Sequence, residues 1–150
     1  MKSASAMTFH PGDTESKPYT FDAPGIIAFA RASGDLNPLH RDPAIAAQSR
    51  FKGLIASGAQ MTAVLMGFGA SFVSRHHEAV GLEFNVTFNR AIPAGTGTLL
   101  SSTILSAEPH AKLGGTLVAF EAAITGLDGK RYLSATGKAV VWEQRPTRLA

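Results

Sequence analysis

The sequence predicts an α+β fold in which an antiparallel β-sheet wraps around one long central helix. Three observations lead there. The run from Ser57 to Val73 is apolar or small at almost every position, as in a helix surrounded by protein on most sides. From Leu82 onward the hydrophobic period drops to two, with Leu82, Phe84, Val86 and Phe88 alternating with Glu83, Asn85, Thr87 and Asn89. Helical signals therefore fill the first half of the chain and strand signals the second, which is the order of an α+β domain.

Taken in order, residues 1–16 carry Ser, Thr, Gly and Pro without a period and read as a flexible lead-in, leaving 17–150 as a single domain. Lys17–Phe21 reads as a short strand. Asp22 offers an N-cap, Pro24 sits where a missing N–H costs nothing, and Ile26, Ile27, Phe29 and Ala30 follow at helical spacing. Gly34 closes that helix as a left-handed residue. Asp35-Leu36-Asn37-Pro38 bends the chain, because Asn37 before a proline is pushed out of the α region. Asp42-Pro43 opens a second short helix through Gln48, and Arg50–Gly53 is a loop. The Ser57–Val73 helix spans about 25 Å at 1.5 Å per residue, too short for a membrane span. Within it, Gly67 and Gly69 predict close approach of another backbone, or a bend. Pro93-Ala94-Gly95 turns the chain after the first alternating strand. Thr98–Ala107 and Thr116–Thr125 are two further strands, and Asp128-Gly129 predicts a hairpin into a last strand, Tyr132–Trp142. One helix that needs covering and several strands with one apolar face each are reconciled by a hot-dog fold.

Composition removes several function classes. Apolar residues make up 45% of the 150 residues and charged residues 17%, which favours an oligomer with a buried face. The net charge of +3 is spread along the chain with no basic run, so neither nucleic acid nor a polybasic membrane contact is expected. With no cysteine there is no disulfide, thiolate nucleophile or Cys-based zinc site. The N-terminus has no apolar leader and no run reaches membrane length, so a cytoplasmic protein is expected. His76 and His77 are adjacent and do not share a helix face, which makes a metal pair between them unfavourable, and no metal site is expected. Gly67-Phe68-Gly69 lacks the preceding strand and third glycine of a dinucleotide fingerprint. No nucleophile elbow or P-loop is present.

Two places carry chemistry. Asp35 and His40 lie five residues apart on bent backbone beyond a helix end. A carboxylate and an imidazole that converge there can hold one water and move its protons, since imidazole both accepts and donates near neutral pH. The plainer reading of the same residues is a turn cap and a surface histidine. Ser57-Gly58 opens the long helix, where free N–H groups beside a residue without a side chain make an oxyanion site; an ordinary serine N-cap reads the same way.

Together, FARASGDLNPLHRD, then FKGLIASGAQMTAVLM, then the strand-rich tail resemble the MaoC-like dehydratase family, which includes (R)-specific enoyl-CoA hydratases. The resemblance covers about residues 18–142 and is most specific at SGDxNPLHxD, Ser33–Asp42. It implies a hot-dog fold, a homodimer or higher homo-oligomer, and an acyl-CoA thioester substrate with no metal or redox cofactor. It places the catalytic acid on Asp35, the catalytic histidine on His40 and the oxyanion N–H on Gly58, with Ser57 beside it and Asn37 shaping the loop. The implied reaction adds water to a trans-2-enoyl-CoA to give an (R)-3-hydroxyacyl-CoA, or the reverse. Two positions depart from the family pattern: Ser57 stands where many hydratases have histidine, and Ala63 where they often have serine, with Thr62 beside it facing elsewhere. A hot-dog thioesterase and a non-catalytic acyl-CoA-binding protein are the alternatives.

Overall fold

A computed structural model describes residues 9–143. The elements run β1 (Thr14–Phe21), α1 (Ala23–Ser33), a 3-10 turn over Pro38–His40, α2 (Pro43–Gln48), α3 (Gly58–Ser74), β2 (Glu78–Phe88), β3 (Thr96–His110), β4 (Gly115–Gly126) and β5 (Arg131–Trp142). The five strands form one antiparallel sheet in the order β1-β3-β4-β5-β2, with α3 against its inner face. This is the hot-dog arrangement.

Local chemistry sets the element ends that matter for the site. Asp22 caps α1, its carboxylate accepting from the Gly25 N–H at 2.7 Å. Gly34 ends α1 at φ 73°, a left-handed conformation, and the Asp35 N–H then reaches back to the Ala30 carbonyl at 2.9 Å. Asp42 caps α2 by accepting from the Ala44 and Ile45 N–H groups, with Pro43 following. At the β4–β5 hairpin, the Asp128 carboxylate accepts from the Lys130 N–H at 3.0 Å, a bond that holds its pKa below the usual carboxylate range.

The main core lies between α3 and the sheet. Met61 and Leu65 of α3 meet Leu100, Ala122, Ile124, Leu133 and Ala135 of the inner sheet face, and Ile26 of α1 and Phe21 of β1 close one end. A smaller cluster of Val73, Ile104, Val118 and Val141 fills the other end. No helix among the described residues is long and apolar enough to cross a membrane.

Four expectations change. β1 begins at Thr14, so residues 14–16 belong to the sheet rather than to a lead-in ending at 16; all of β1 pairs with β3, from Thr14 opposite Thr103 to Phe21 opposite Thr96. Residues 1–8 of the expected lead-in lie outside the described residues. The alternation in β2 is only half buried: Phe84 and Val86 pack on the core, whereas Leu82 and Phe88 are exposed, and the register shifts between Gly81 and Glu83. Helix α3 is covered on one side only. Gln60, Met61, Leu65 and Val73 are buried, but Ala59, Ala63, Met66 and Ala70 face outward, because a single sheet reaches just one flank of a helix. Finally, Gly67 and Gly69 approach no other backbone; a Cβ added at either would meet open space. Both line an apolar groove of about 510 Å³ between the second half of α3 and strands β2 and β5.

The close approach that glycine does permit is elsewhere. Gly137 of β5 lies opposite Phe84, and a Cβ there would stand 2.7 Å from the Glu83 carbonyl oxygen and run into the Phe120 ring. Because backbone cannot step aside cheaply, Gly137→Ala is expected to destabilise the fold by about 1–3 kcal/mol. The check is a lower urea midpoint at unchanged slope.

Candidate active site

The site is built on the chain between α1 and α3. Gly34 turns the backbone out of α1, and Asp35 immediately follows, half-buried. Its Oδ1 accepts from the Asn37 N–H at 2.9 Å, so the carboxylate is pinned by the loop it starts. Asn37 in turn caps the 3-10 turn, its Oδ1 accepting from the Leu39 N–H at 3.1 Å. That leaves the Asn37 amide nitrogen free to face the imidazole of His40, 3.4 Å from Nε2.

His40 is buried, with 8% of its surface exposed. Its Nδ1 lies 2.7 Å from the Ile55 carbonyl oxygen. A carbonyl only accepts, so Nδ1 carries the hydrogen, and in the neutral ring Nε2 presents its lone pair. The segment supplying that carbonyl is itself fastened. The Ile55 N–H donates to the Leu39 carbonyl at 3.1 Å, the Ala56 N–H to Ile92 at 2.9 Å and the Ala94 N–H to Leu54 at 2.9 Å. His40 thus hangs from backbone held on both sides.

Three residues beyond Ile55, α3 begins. Ser57 is buried and its Oγ accepts from the Gln60 N–H at 3.0 Å. The Met61 N–H takes the Ser57 carbonyl at 3.0 Å. Among the described residues, the N–H groups of Gly58 and Ala59 have no acceptor, so two donors at the positive end of a helix are open. Thr62 turns its hydroxyl back onto the Gly58 carbonyl at 2.8 Å, and Ala63 is exposed on the flank of α3.

The structure therefore brings Asp35 and His40 together through Asn37 rather than by direct contact, and ties both to the start of α3 through Ile55. Asn37 touches the imidazole as well as shaping the loop. Among the described residues, no cluster of His, Asp and Glu is arranged to hold a metal ion. His110 ends β3, and its Nδ1 accepts from the Leu113 N–H.

A family model described as the MaoC like domain matches residues 10–102, more than half of the chain. The chain belongs to the MaoC-like family. The matched span contains Asp35, Asn37, His40, Ser57 and Gly58; β4 and β5 lie beyond it. Solved structures share the fold. The unliganded R-hydratase PhaJ1 from Pseudomonas aeruginosa superposes with a TM-score of 0.80 at 21% identity, covering 95% of this chain and 90% of that one. An (R)-hydratase from A. caviae involved in PHA biosynthesis gives 0.77 at 20% identity, covering 89% and 98%. The truncated HadBC (3R-hydroxyacyl-ACP dehydratase) complex from Mycobacterium tuberculosis gives 0.73 at 18% identity, covering 89% and 98%. No curated protein sequence matches the chain.

Two contributors to this MaoC-like site went unseen in the sequence. The Ile55 carbonyl is a backbone group, and backbone acceptors have no signature in residue types. Phe88, read as core by its period, instead lies at the start of α3: its ring carbons would stand 3.0–3.4 Å from a Cβ placed on Gly58. The serine cap can be tested directly. Ser57→Ala removes the acceptor for the Gln60 N–H in a buried helix start and is expected to cost about 1 kcal/mol. Calorimetry should then show a melting temperature lower by about 2–4 °C.

Proposed function

We propose that this protein is a hydratase or dehydratase of acyl-CoA thioesters, interconverting a trans-2-enoyl-CoA and an (R)-3-hydroxyacyl-CoA. The observation that carries the reading is the hydrogen bond from His40 Nδ1 to the Ile55 carbonyl. It commits the imidazole to the tautomer whose Nε2 can take a proton, on the side of the loop that also carries the Asp35 carboxylate. Membership of the MaoC-like family supports the same reaction class.

In this reading one water takes the place of the long Asn37 contact at His40 Nε2 and reaches the Asp35 oxygen not used by Asn37. As its oxygen bonds to C3 of the enoyl group, the C2=C3 electron pair shifts toward the thioester, whose carbonyl becomes an enolate. The proton taken from the water is delivered to C2, the carbonyl re-forms, and the elements of one water have been added. Charge builds on the thioester oxygen only during the reaction, so an N–H such as that of Gly58, fixed in advance at a helix N-terminus, stabilises the transition state more than the ground state. The chemistry draws on the chain's own groups and calls on neither a metal nor a redox cofactor. The apolar groove beside α3 starts at Leu65, about 10 Å along the helix from Gly58, and offers a place for an acyl tail. A cytoplasmic acyl-CoA pool is the proposed setting.

Asp35→Asn and His40→Gln are each expected to lower turnover by about 10²–10⁴-fold with the far-UV spectrum intact. The assay follows loss of the conjugated-thioester absorbance of crotonyl-CoA and longer enoyl-CoAs, with chiral analysis of the product. Wild-type levels in both variants would remove these residues as catalysts. Release of free thiol without hydration would favour a thioesterase instead.

The proposed assembly is a homodimer. Strand β2 is a sheet edge with Val80 and Leu82 exposed, and the outward flank of α3 adds Ala63, Met66 and Ala70. Such an edge is a template for pairing unless it is covered. Light scattering at micromolar concentration should return twice the chain mass; a monomer mass would contradict this.

A further inference from the structure

Phe88 is the last residue of β2 and, in a strand whose other alternating aromatic packs inward, leaves 54% of its surface exposed. Its exposed position is not idle. The ring tip faces Gly58, the first residue of α3, closely enough that a Cβ on Gly58 would fall 3.0 Å and 3.1 Å from two ring carbons. The backbone on either side is anchored: Phe88 pairs with Leu133 of β5, and the following Asn89 N–H donates to the Tyr132 carbonyl at 2.9 Å. The glycine side is fixed by the Ala56–Ile92 hydrogen bond. The tip of an aromatic ring is therefore held beside the Cα of Gly58, the residue whose N–H is open.

We infer that Phe88 is a positioning residue for the proposed reaction: its ring walls off the Gly58 N–H so that a thioester oxygen reaches that donor from one direction and without competing water. This rests on the hydratase reading above. The absence of a side chain at 58 and the presence of a ring at 88 are then one device. Glycine leaves the space that the ring tip uses, and the ring replaces water next to the donor. A hydrogen bond to developing negative charge is worth more where water is excluded, so the wall acts on the enolate-like transition state more than on the bound substrate.

The test compares Phe88→Ala, Phe88→Leu, Gly58→Ala and the double variant Gly58→Ala/Phe88→Ala. Removing an oxyanion donor outright costs 10²–10³-fold in kcat, and loss of its shield should cost a part of that, about tenfold. Phe88→Ala is expected to lower kcat about tenfold with KM within about threefold, while Phe88→Leu, which keeps an apolar wall, stays within about threefold of wild type. Gly58→Ala keeps the N–H but pushes the ring aside, so it should resemble Phe88→Ala, and the double variant should lose no more than the worse single. A second readout needs no turnover. A 3-oxoacyl-CoA can bind as its enolate, which absorbs in the near ultraviolet, and Phe88→Ala should shift that ionisation toward higher pH. Unchanged kcat in Phe88→Ala, losses that multiply in the double variant, or an unshifted enolate titration would overturn the proposal. Wild-type protein that ionises the bound 3-oxoacyl-CoA but hydrates no enoyl-CoA would instead remove the hydratase reading and leave the Phe88–Gly58 pairing to be judged by the titration.

Discussion

The bond between His40 Nδ1 and the Ile55 carbonyl joins the two halves of the site. On one side is the loop that α1 ends in, carrying Asp35 and Asn37. On the other is the extended run into α3, carrying Ser57 and Gly58. A buried imidazole without this partner would leave a donor unsatisfied and a ring free to rotate, at a cost of about 1–3 kcal/mol. With it, one contact sets the tautomer, the ring plane and the spacing between loop and helix start. The Leu54–Ala56 run is in turn held by Leu39 on one side and by Ile92 and Ala94 on the other. Rigidity at the site is thus borrowed from the sheet, since the Ile92–Ala94 turn leads directly into β3.

That dependence explains the division of labour along α3. Its first turn leaves two N–H groups open, with glycine and alanine there rather than a second capping side chain. Its middle must grip the sheet, and Met61 and Leu65 do so. Its outward flank needs neither property and is made of small residues, with Gly67 and Gly69 leaving a groove where larger side chains would have filled it. One helix therefore serves as core, donor and groove wall on three different faces. It carries no charged side chain, and none of these tasks requires one.

Much of this was legible in the residues. Asp22 and Gly34 bracketed α1, Asp42-Pro43 opened α2, and Asp128-Gly129 marked the last hairpin, because capping and turn chemistry act over a few neighbouring residues. The start of β1 was not. Thr14–Ser16 is polar edge strand, recruited by hydrogen bonds to Ser101–Thr103, and edge pairing with a partner so distant in sequence leaves no local period. Phe88 was misplaced for the opposite reason: it kept the period of two after the strand had run past the helix flank that could bury it. The role of Gly67 and Gly69 was inverted, since residue type records that space is needed and not whether protein or solvent fills it. In the site, Asp35, His40 and Gly58 stood out as residues. The link between them did not, because Ile55 contributes through its backbone.

Ser57, where many hydratases of the family resembled have histidine, acts here as a helix cap. The serine hydroxyl oxygen accepts from the Gln60 N–H, two positions past the donor it stands beside. The Gly58 N–H is left out of that bond and belongs to the backbone, so it survives any exchange of the neighbouring side chain that keeps the helix start in place. Serine, 3% exposed, leaves little room there for an imidazole. In the proposed reaction the consequence falls on the polarity and volume beside the thioester oxygen, and hence on which acyl groups fit. The acid, base and backbone donor of the proposed reaction do not depend on it.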